Sequence, residues 1–109
     1  MGKLFFLSNV HDNVATALDE IDGGECQIIG AKVKRLIVKE HIMRGHKVAI
    51  CMIVKDQPIV KYGVTIGKAT RLIHMGEWVH LHNMTSLYDM RSSKAIDPRT
   101  GKVLDTQYE

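Results

Sequence analysis

Two histidines separated by a single residue, His80 and His82, are the most informative chemical feature of the sequence. They belong to the segment GEWVHLHN at residues 76–83. Because successive side chains of a strand point to opposite faces, both imidazoles and Trp78 are predicted to lie on one side. Two imidazoles held together can share a divalent metal ion, or bind an anionic substrate when one of them is protonated. The alternative interpretation is two surface histidines beside a tryptophan.

The same alternation predicts that Val79 and Leu81 face the core. Two ligands alone make a weak metal site. Glu77, His46 or a partner chain would therefore have to supply a third ligand.

Two further pairs of residues are candidates for binding an anion. His46 and Lys47 follow a turn glycine, and Lys61 and Tyr62 precede another. Side chains beside turns tend to be exposed, and lysine and histidine near a cleft suit a ligand that bears a carboxylate. Solvated surface positions are the alternative for both pairs. Three other histidines have no partner nearby in the sequence and are interpreted as structural or surface residues: His11, His41 and His74.

Length and composition narrow the possible functions. The 109 residues suffice for one domain and are too few for a self-contained two-domain enzyme. The 15 basic and 12 acidic residues are scattered and aromatic residues make up 6%, which argues against nucleic-acid binding. No apolar run approaches the ~20 residues of a membrane helix, and the apolar start is too short for a signal peptide. We therefore expect a cytoplasmic protein with no nucleic-acid or membrane partner.

Several other chemical roles find no support. The sequence has no glycine-rich phosphate loop, GxSxG or HExxH motif. Its two cysteines, Cys26 and Cys51, form no CxxC motif and are interpreted as small buried apolar residues.

One short helix is predicted near the N-terminus. Asp12 or Asn13 can cap it, and Gly23 with Gly24 can end it. Four apolar residues in between recur at helical spacing: Val14, Ala17, Leu18 and Ile21.

Short strands dominate the rest of the prediction. The apolar run at residues 3–7 predicts a first strand. Brief β-rich stretches separated by turn residues follow the helix, at residues 27–29, 33–38, 48–54, 59–60, 64–66 and 78–81. This pattern predicts a mainly β fold, a compact barrel or sandwich with one short N-terminal helix.

An internal repeat runs through these strands. Its unit is an isoleucine, a turn residue three positions later and an apolar residue three positions beyond that. Each unit is predicted to anchor a strand end in the core, turn through a residue that tolerates positive φ and start the next strand inward. Ordinary turn preferences explain part of the pattern. The copies are Ile42-Gly45-Val48, Ile53-Asp56-Ile59, Ile73-Gly76-Val79 and a weaker one at Ile21-Gly24, with Gln27 in the apolar slot.

The last 26 residues differ from the rest. They carry equal numbers of basic and acidic residues and the turn sequence DPRTG at 97–101. We therefore divide the chain into a β domain at 1–83 and an irregular C-terminal extension at 84–109. Packing of this extension on a partner subunit is the alternative.

Several motifs occur here in an order that is specific to one family. They are DNVATAL at 12–18, GHKVA at 45–49, VKYG at 60–63, IG at 66–67, Ala69 and GEWVHLHN at 76–83. Together they resemble the N-terminal domain of altronate and galactarate dehydratases. That domain is of the SAF type, a β-clip fold, and it also stands alone as the small subunit of sulfolactate sulfo-lyase.

The resemblance implies a lyase. Such enzymes remove water from a sugar acid, or sulfite from sulfolactate, and the dehydratases need a divalent metal, usually iron or manganese. It also implies a large catalytic subunit that shares this metal. His80 and His82 match the family's HxHN motif and are the expected metal ligands. The other matching residues are expected to bind the anionic sugar acid or to shape its cleft: His46, Lys47, Lys61, Tyr62 and Asn83.

Three functions stay open at this point. The chain is the small subunit or N-terminal domain of a sugar-acid dehydratase, the small subunit of a sulfolactate sulfo-lyase, or a SAF-like module that binds a carbohydrate acid without catalysis. Because no general base or full ligand set is visible, we expect the chain to be inactive alone. Strand edges exposed on a small β domain also make a homo-oligomer possible.

Overall fold

The architecture is known from a computed structural model, which describes residues 3–87. All elements in this range are strands, and it holds no helix that is long and apolar enough to cross a bilayer. In chain order the nine strands are β1 (Leu4–Leu7), β2 (Val14–Ala17), β3 (Gly24–Gly30), β4 (Lys34–Val38), β5 (Lys47–Ala49), β6 (Pro58–Lys61), β7 (Val64–Ala69), β8 (Trp78–Val79) and β9 (Met84–Ser86).

The strands form two sheets. The larger one has the order β4-β3-β1-β2-β5-β8, and the smaller one has the order β6-β7-β9. The pair β1 and β3 is parallel, and all other neighbours are antiparallel. The mainly β prediction is therefore confirmed. Strand β8 ends the larger sheet beside β5, and this edge carries the candidate site.

The core consists of two apolar clusters. Phe5, Leu36 and Val48 belong to the first cluster, and Ile59 and Met84 belong to the second. Strands β2 and β5 contribute residues to both clusters, because alternate side chains of a strand point to opposite faces. These two strands are therefore buried on both sides and form a rigid support for β8.

The predicted N-terminal helix is wrong. Val14–Ala17 is strand β2, paired on one side with β1 and on the other with β5. Its apolar residues coincide with a helical spacing, but Ala15 is buried as well and Leu18 is exposed, so no single helical face exists. Burial between two neighbouring strands therefore overrides the local pattern.

The two residues predicted to cap that helix bind distant backbone instead. The side chain of Asn13 donates to the Pro58 carbonyl at 2.8 Å and accepts from the Val60 amide at 2.8 Å. Asp12 binds the turn after β6, as described below. Both residues therefore hold the start of β2 against β6.

The internal repeat is confirmed. The three turn residues Gly45, Asp56 and Gly76 have φ values of 86°, 71° and 89°. The isoleucines that open the units are fully buried, and they pair as isolated bridges, Ile21 with Ile42 and Ile53 with Ile73. The three full units thus anchor, turn and re-enter the core as predicted, whereas Gln27 of the weaker copy is exposed.

Most of the predicted strands are present, and two details differ. Strand β9 pairs with β7, so the sheet continues past the domain boundary predicted at residue 83. The rest of the predicted extension lies outside the described residues. Cys26 is buried, which raises the pKa of its thiol, whereas Cys51 is exposed and not the core residue we expected. Both thiols are free.

Two turn glycines provide a matched test of the fold. A Cβ at Gly76 would collide with the backbone oxygen of Ile37, whereas a Cβ at Gly45 has nothing within 4 Å. We expect Gly45→Ala to lower the free energy of unfolding by about 1–2 kcal/mol, the cost of a left-handed alanine. Gly76→Ala adds an overpacking cost of about 1–3 kcal/mol, for a total of about 2–5 kcal/mol. Urea unfolding of both variants measures the difference, and equal losses would contradict this packing.

Candidate functional site

The site lies where β8 leaves the larger sheet. Strand β8 ends at Val79, and residues 80–83 form a turn in which the amides of Asn83 and Met84 both donate to the His80 carbonyl at 3.0 Å. The strand predicted to continue through Leu81 is therefore too long. Leu81 is 54% exposed and not part of the core.

Asn83 is the reason for this early turn. Its side-chain nitrogen donates to the Trp78 carbonyl at 2.8 Å, and its side-chain oxygen accepts from the His80 amide at 3.0 Å. The side chain is buried, and both of its polar atoms bind the loop that carries the histidines. In this structure Asn83 therefore shapes the loop.

Three histidine rings surround Trp78. The His80 ring stacks on the indole, with centroids 5.4 Å apart and an angle of 9° between the planes, and the His82 centroid lies at 4.6 Å. The His46 centroid lies 5.7 Å from Trp78 and 5.1 Å from His80. The predicted convergence of His80 and His82 on the side of Trp78 is thus present, although a turn produces it instead of a strand.

Trp78 is held by its backbone and by its indole. Its backbone amide donates to Oε2 of Glu40 at 2.9 Å. In the pairing of β5 with β8, Trp78 lies opposite Val48. The indole Nε1 donates to Nδ1 of His46 at 3.2 Å. A fixed indole therefore orders the histidines around it.

Lys47 lies on β5, next to β8. It pairs with Val79 across the two strands and is only 1% exposed, although a position beside a turn predicted exposure. Burial lowers the pKa of His80, and the ammonium of Lys47 lowers it further, as does a proton on the neighbouring His46 or His82. The site therefore favours a neutral His80 in the presence of a fixed ammonium group.

Lys61 and Tyr62 occupy a second turn. Lys61 is also buried, and its Nζ lies 4.9 Å from the centre of the Tyr62 ring. The carboxylate of Asp12 accepts from the Tyr62 amide at 3.0 Å and from the Gly63 amide at 2.7 Å. These hydrogen bonds connect the turn of Lys61 and Tyr62 to Asp12. Lys61 is not among the groups whose charge lowers the pKa of His80.

The fit of this site to a metal ion is partial. Neutral imidazoles are accepted ligands of iron, manganese and zinc. However, of the third ligands considered, Glu77 accepts from the His74 amide at 2.6 Å and His46 accepts from Trp78. Within residues 3–87, the only group of three potential metal donors within 4.8 Å of one another is Glu20, Asp22 and His41, which is not part of this site. His80 and His82 thus offer two ligands, and a complete metal site would need further ligands from outside the described residues.

The group of three donors includes His41, for which no partner was predicted. His41 lies 3.0 Å from Glu20 and 2.9 Å from Asp22, on either side of the bridge between Ile21 and Ile42. All three side chains are exposed, where ion pairs contribute little to stability. The partners are distant in sequence, so spacing alone could not reveal them.

Comparison with known proteins agrees with the motifs. The sequence model of the altronate/galactarate dehydratase SAF domain matches residues 3–87. The chain belongs to this family. The SAF domain is 41% identical to the altronate dehydratase of Bacillus subtilis (strain 168) over 91 residues, which are 82% of this chain and 18% of that enzyme.

Two other relatives match smaller parts of this chain. The altronate dehydratase of Escherichia coli (strain K12) is 38% identical over 81 residues, 72% of this chain and 16% of that enzyme. The (2R)-sulfolactate sulfo-lyase subunit alpha of Chromohalobacter salexigens is 45% identical over 47 residues, 43% of this chain and 50% of that subunit. The SAF domain thus spans less than a fifth of the two altronate dehydratases.

Sequence reasoning missed the roles of two residues here. Trp78 was predicted only as a neighbour of the histidines, yet it contacts all three rings. Asp12 was interpreted as a helix cap, yet it clamps the turn that follows Lys61. A signal was available for Trp78, because it is the single tryptophan in the chain and lies beside the HxH motif.

The role of Asn83 can be tested by stability. Asn83→Ala removes two hydrogen bonds from a buried loop, so we expect the free energy of unfolding to fall by about 1–3 kcal/mol. Trp78, the single tryptophan, reports urea unfolding by its fluorescence. Asn9→Ala, which removes one exposed bond, is the control and should change stability by less than about 0.5 kcal/mol. Equal effects of the two substitutions would contradict the role assigned to Asn83.

The electrostatic coupling can be tested by titration. Because the ammonium of Lys47 disfavours a charged His80, Lys47→Met should raise the pKa of His80, as followed by NMR. The exposed Lys55→Met is the control and should leave it unchanged. Since the folded state lowers the pKa of His80, folding disfavours its protonation, and stability should fall as the pH drops through the histidine range. An unchanged His80 pKa in Lys47→Met would show that the two groups are not coupled.

Proposed function

We propose that the chain is the small subunit or N-terminal domain of a cytosolic hydro-lyase that dehydrates a sugar acid such as altronate or galactarate. It acts with a large catalytic subunit and contributes residues to a shared substrate and metal site. The observation that supports this best is the gathering of three histidines around Trp78 in a SAF domain of the dehydratase family.

The anionic substrate defines the first task of the site. A sugar acid presents carboxylate and hydroxyl oxygens, which accept hydrogen bonds from imidazole N–H groups and from an ammonium group. We assign His46 and Lys47 to the carboxylate. The buried Lys47 adds positive charge in a partly desolvated place, where its attraction for an anion is stronger than in water.

Dehydration next to a carboxylate has defined requirements. A base removes the α-proton, the electron pair forms a double bond to the neighbouring carbon, and hydroxide leaves from that carbon. Negative charge builds up on the carboxylate oxygens during this process, and fixed positive groups stabilise it. His46 and Lys47 serve this stabilisation. The base is assigned to the large subunit, so this chain is inactive alone.

His80 and His82 are our candidates for two ligands of the divalent metal, iron or manganese. When bound, such an ion supplies Lewis-acid catalysis for the departing hydroxide. The lowered pKa of His80 supports this assignment, because a metal ligand must be unprotonated. The loop that Asn83 closes holds both rings against Trp78, and the large subunit completes the ligand set.

Lys61 and Tyr62 are assigned to the wall of the cleft. The Asp12 clamp fixes their turn, and Lys61 lies against the phenol ring. They provide a second positive position for a substrate that carries two carboxylates, such as galactarate.

The second candidate function is the small subunit of a sulfolactate sulfo-lyase. It is favoured by the 45% identity over half of a protein named as a subunit alpha. Sulfolactate is also an anion with a carboxylate, so the same residues would bind it. The leaving group, sulfite instead of hydroxide, distinguishes the two reactions.

Reconstitution tests the proposal. The chain alone should turn over none of altronate, galactarate or sulfolactate, and a mixture with a large dehydratase subunit from the same genome should turn over one of them. The product identifies the reaction. Turnover by the chain alone would contradict the assignment of the base, and the lack of any partner in a pull-down would favour a non-catalytic binding module.

Metal analysis tests the role of the two histidines. The reconstituted complex should contain iron or manganese, and the double variant His80→Ala/His82→Ala should lose most of it. His11→Ala, an exposed histidine elsewhere, is the control. Full metal content in the double variant would reject these ligands and leave the other assignments standing.

A further inference from the structure

Within the part of the chain that the structure describes, three turns have the same construction, at residues 43–46, 54–57 and 74–77. In each turn the amide of the last residue donates to the carbonyl of the first, at 3.0, 3.0 and 3.1 Å. The third residue of each turn has a positive φ. The three turns can therefore be compared position by position.

The side chain of the last residue behaves differently in one of them. Gln57 and Glu77 each accept, through Oε1, from the first amide of their own turn at 2.9 and 2.6 Å. His46 occupies the same position in the first turn. Its Nδ1 instead accepts from Nε1 of Trp78, at 3.2 Å. The first turn thus lacks the side-chain bond that its two counterparts have, and this side chain serves the site.

The direction of this bond determines where the His46 proton lies. The indole nitrogen of Trp78 is a donor only, so Nδ1 of His46 must carry no proton. Neutral imidazole has one proton, which must then lie on Nε2. Nε2 is consequently a hydrogen-bond donor and cannot bind a metal ion while this bond persists.

We propose that Trp78 is a positioning residue that fixes His46 as the Nε2–H tautomer and thereby makes His46 a hydrogen-bond donor to an oxygen of the acid substrate. The inference rests on the proposed function for the identity of the ligand, but the tautomer itself does not. It divides the work among the histidines, since His46 donates while His80 and His82 remain available as acceptors.

The anchoring of Trp78 makes this role physically sound. The amide and the carbonyl of Trp78 are bound by Glu40 and Asn83, and its ring is stacked on His80. The donor therefore approaches His46 from a fixed position. A histidine that is free to exchange tautomers would spend part of its time with an acceptor facing the substrate oxygen, and this would weaken binding.

The decisive variant is Trp78→Phe, which keeps an aromatic ring and removes the N–H donor. NMR of ¹⁵N-labelled imidazoles in the full chain should show the Nε2–H tautomer of His46 in the parent and a mixture of both tautomers in the variant. Binding of galactarate, measured by calorimetry, should weaken by about twofold for an equal mixture, because the apparent affinity falls with the fraction of the donating tautomer. An Nδ1–H tautomer in the parent, or an unchanged tautomer in the variant, would overturn the proposal.

A second variant guards against misfolding of the first. His46→Gln places in the first turn the residue type that Gln57 has in the second. It should bind the free amide of Met43, raise the midpoint of urea unfolding and weaken galactarate binding. Unchanged galactarate binding in this stabilised variant would show that His46 donates nothing to the acid. If the parent binds no acid at all, the proposed function fails, and the tautomer measurement still decides the role of Trp78.

Discussion

The structure depends on one repeated constraint, a pair of backbone hydrogen bonds between an alanine of a buried strand and a turn. The amide of the positive-φ residue donates to the alanine carbonyl, and the alanine amide donates to the carbonyl of the next residue. Between residues 3 and 87 this pair occurs three times, at distances of 2.8–3.0 Å, for Ala17 with Gly45 and His46, Ala49 with Gly76 and Glu77, and Ala69 with Asp56 and Gln57. Ala17 and Ala49 lie in β2 and β5, which are buried on both faces, so their turns are fixed to the most rigid part of the domain.

The candidate site is a consequence of two of these turns. The turn at residues 43–46 ends at His46, and the turn at residues 74–77 is followed by Trp78. The two side chains are therefore in contact although 31 residues separate them in the sequence. The rings of His80 and His82 pack against this fixed indole, and Asn83 closes the loop that carries them. Every buried side-chain nitrogen and oxygen in the described part of the chain has a hydrogen-bond partner, including those of the buried polar residues that support the site. Such a site is ordered before any ligand arrives, which reduces the cost of binding.

The sequence predicts the strands and turns of this protein better than the contacts between residues that are distant in the sequence. Strand content, the repeat and the positive φ at its turns follow from local rules, since turn residues and apolar alternation act over a few positions. The helix prediction at Val14 failed because burial came from two neighbouring strands, which no local pattern reveals. The convergence of the HxH pair on Trp78 was predictable, whereas the bond from Trp78 to His46 and the burial of Lys47 depend on the pairing of β5 with β8. The partners of His41, Glu20 and Asp22, also depend on a long-range pairing, the bridge between Ile21 and Ile42.

The membership of the chain in the dehydratase SAF family and the geometry around Trp78 together support a role in binding a sugar acid. The most direct measurement uses the fluorescence of Trp78, because it is the single tryptophan and touches all three histidines. The account predicts that galactarate changes this emission in a saturable way, whereas a neutral sugar alcohol of the same length does not. Binding of galactarate, seen by calorimetry, with no change in the emission of Trp78 would place the acid elsewhere and contradict the account.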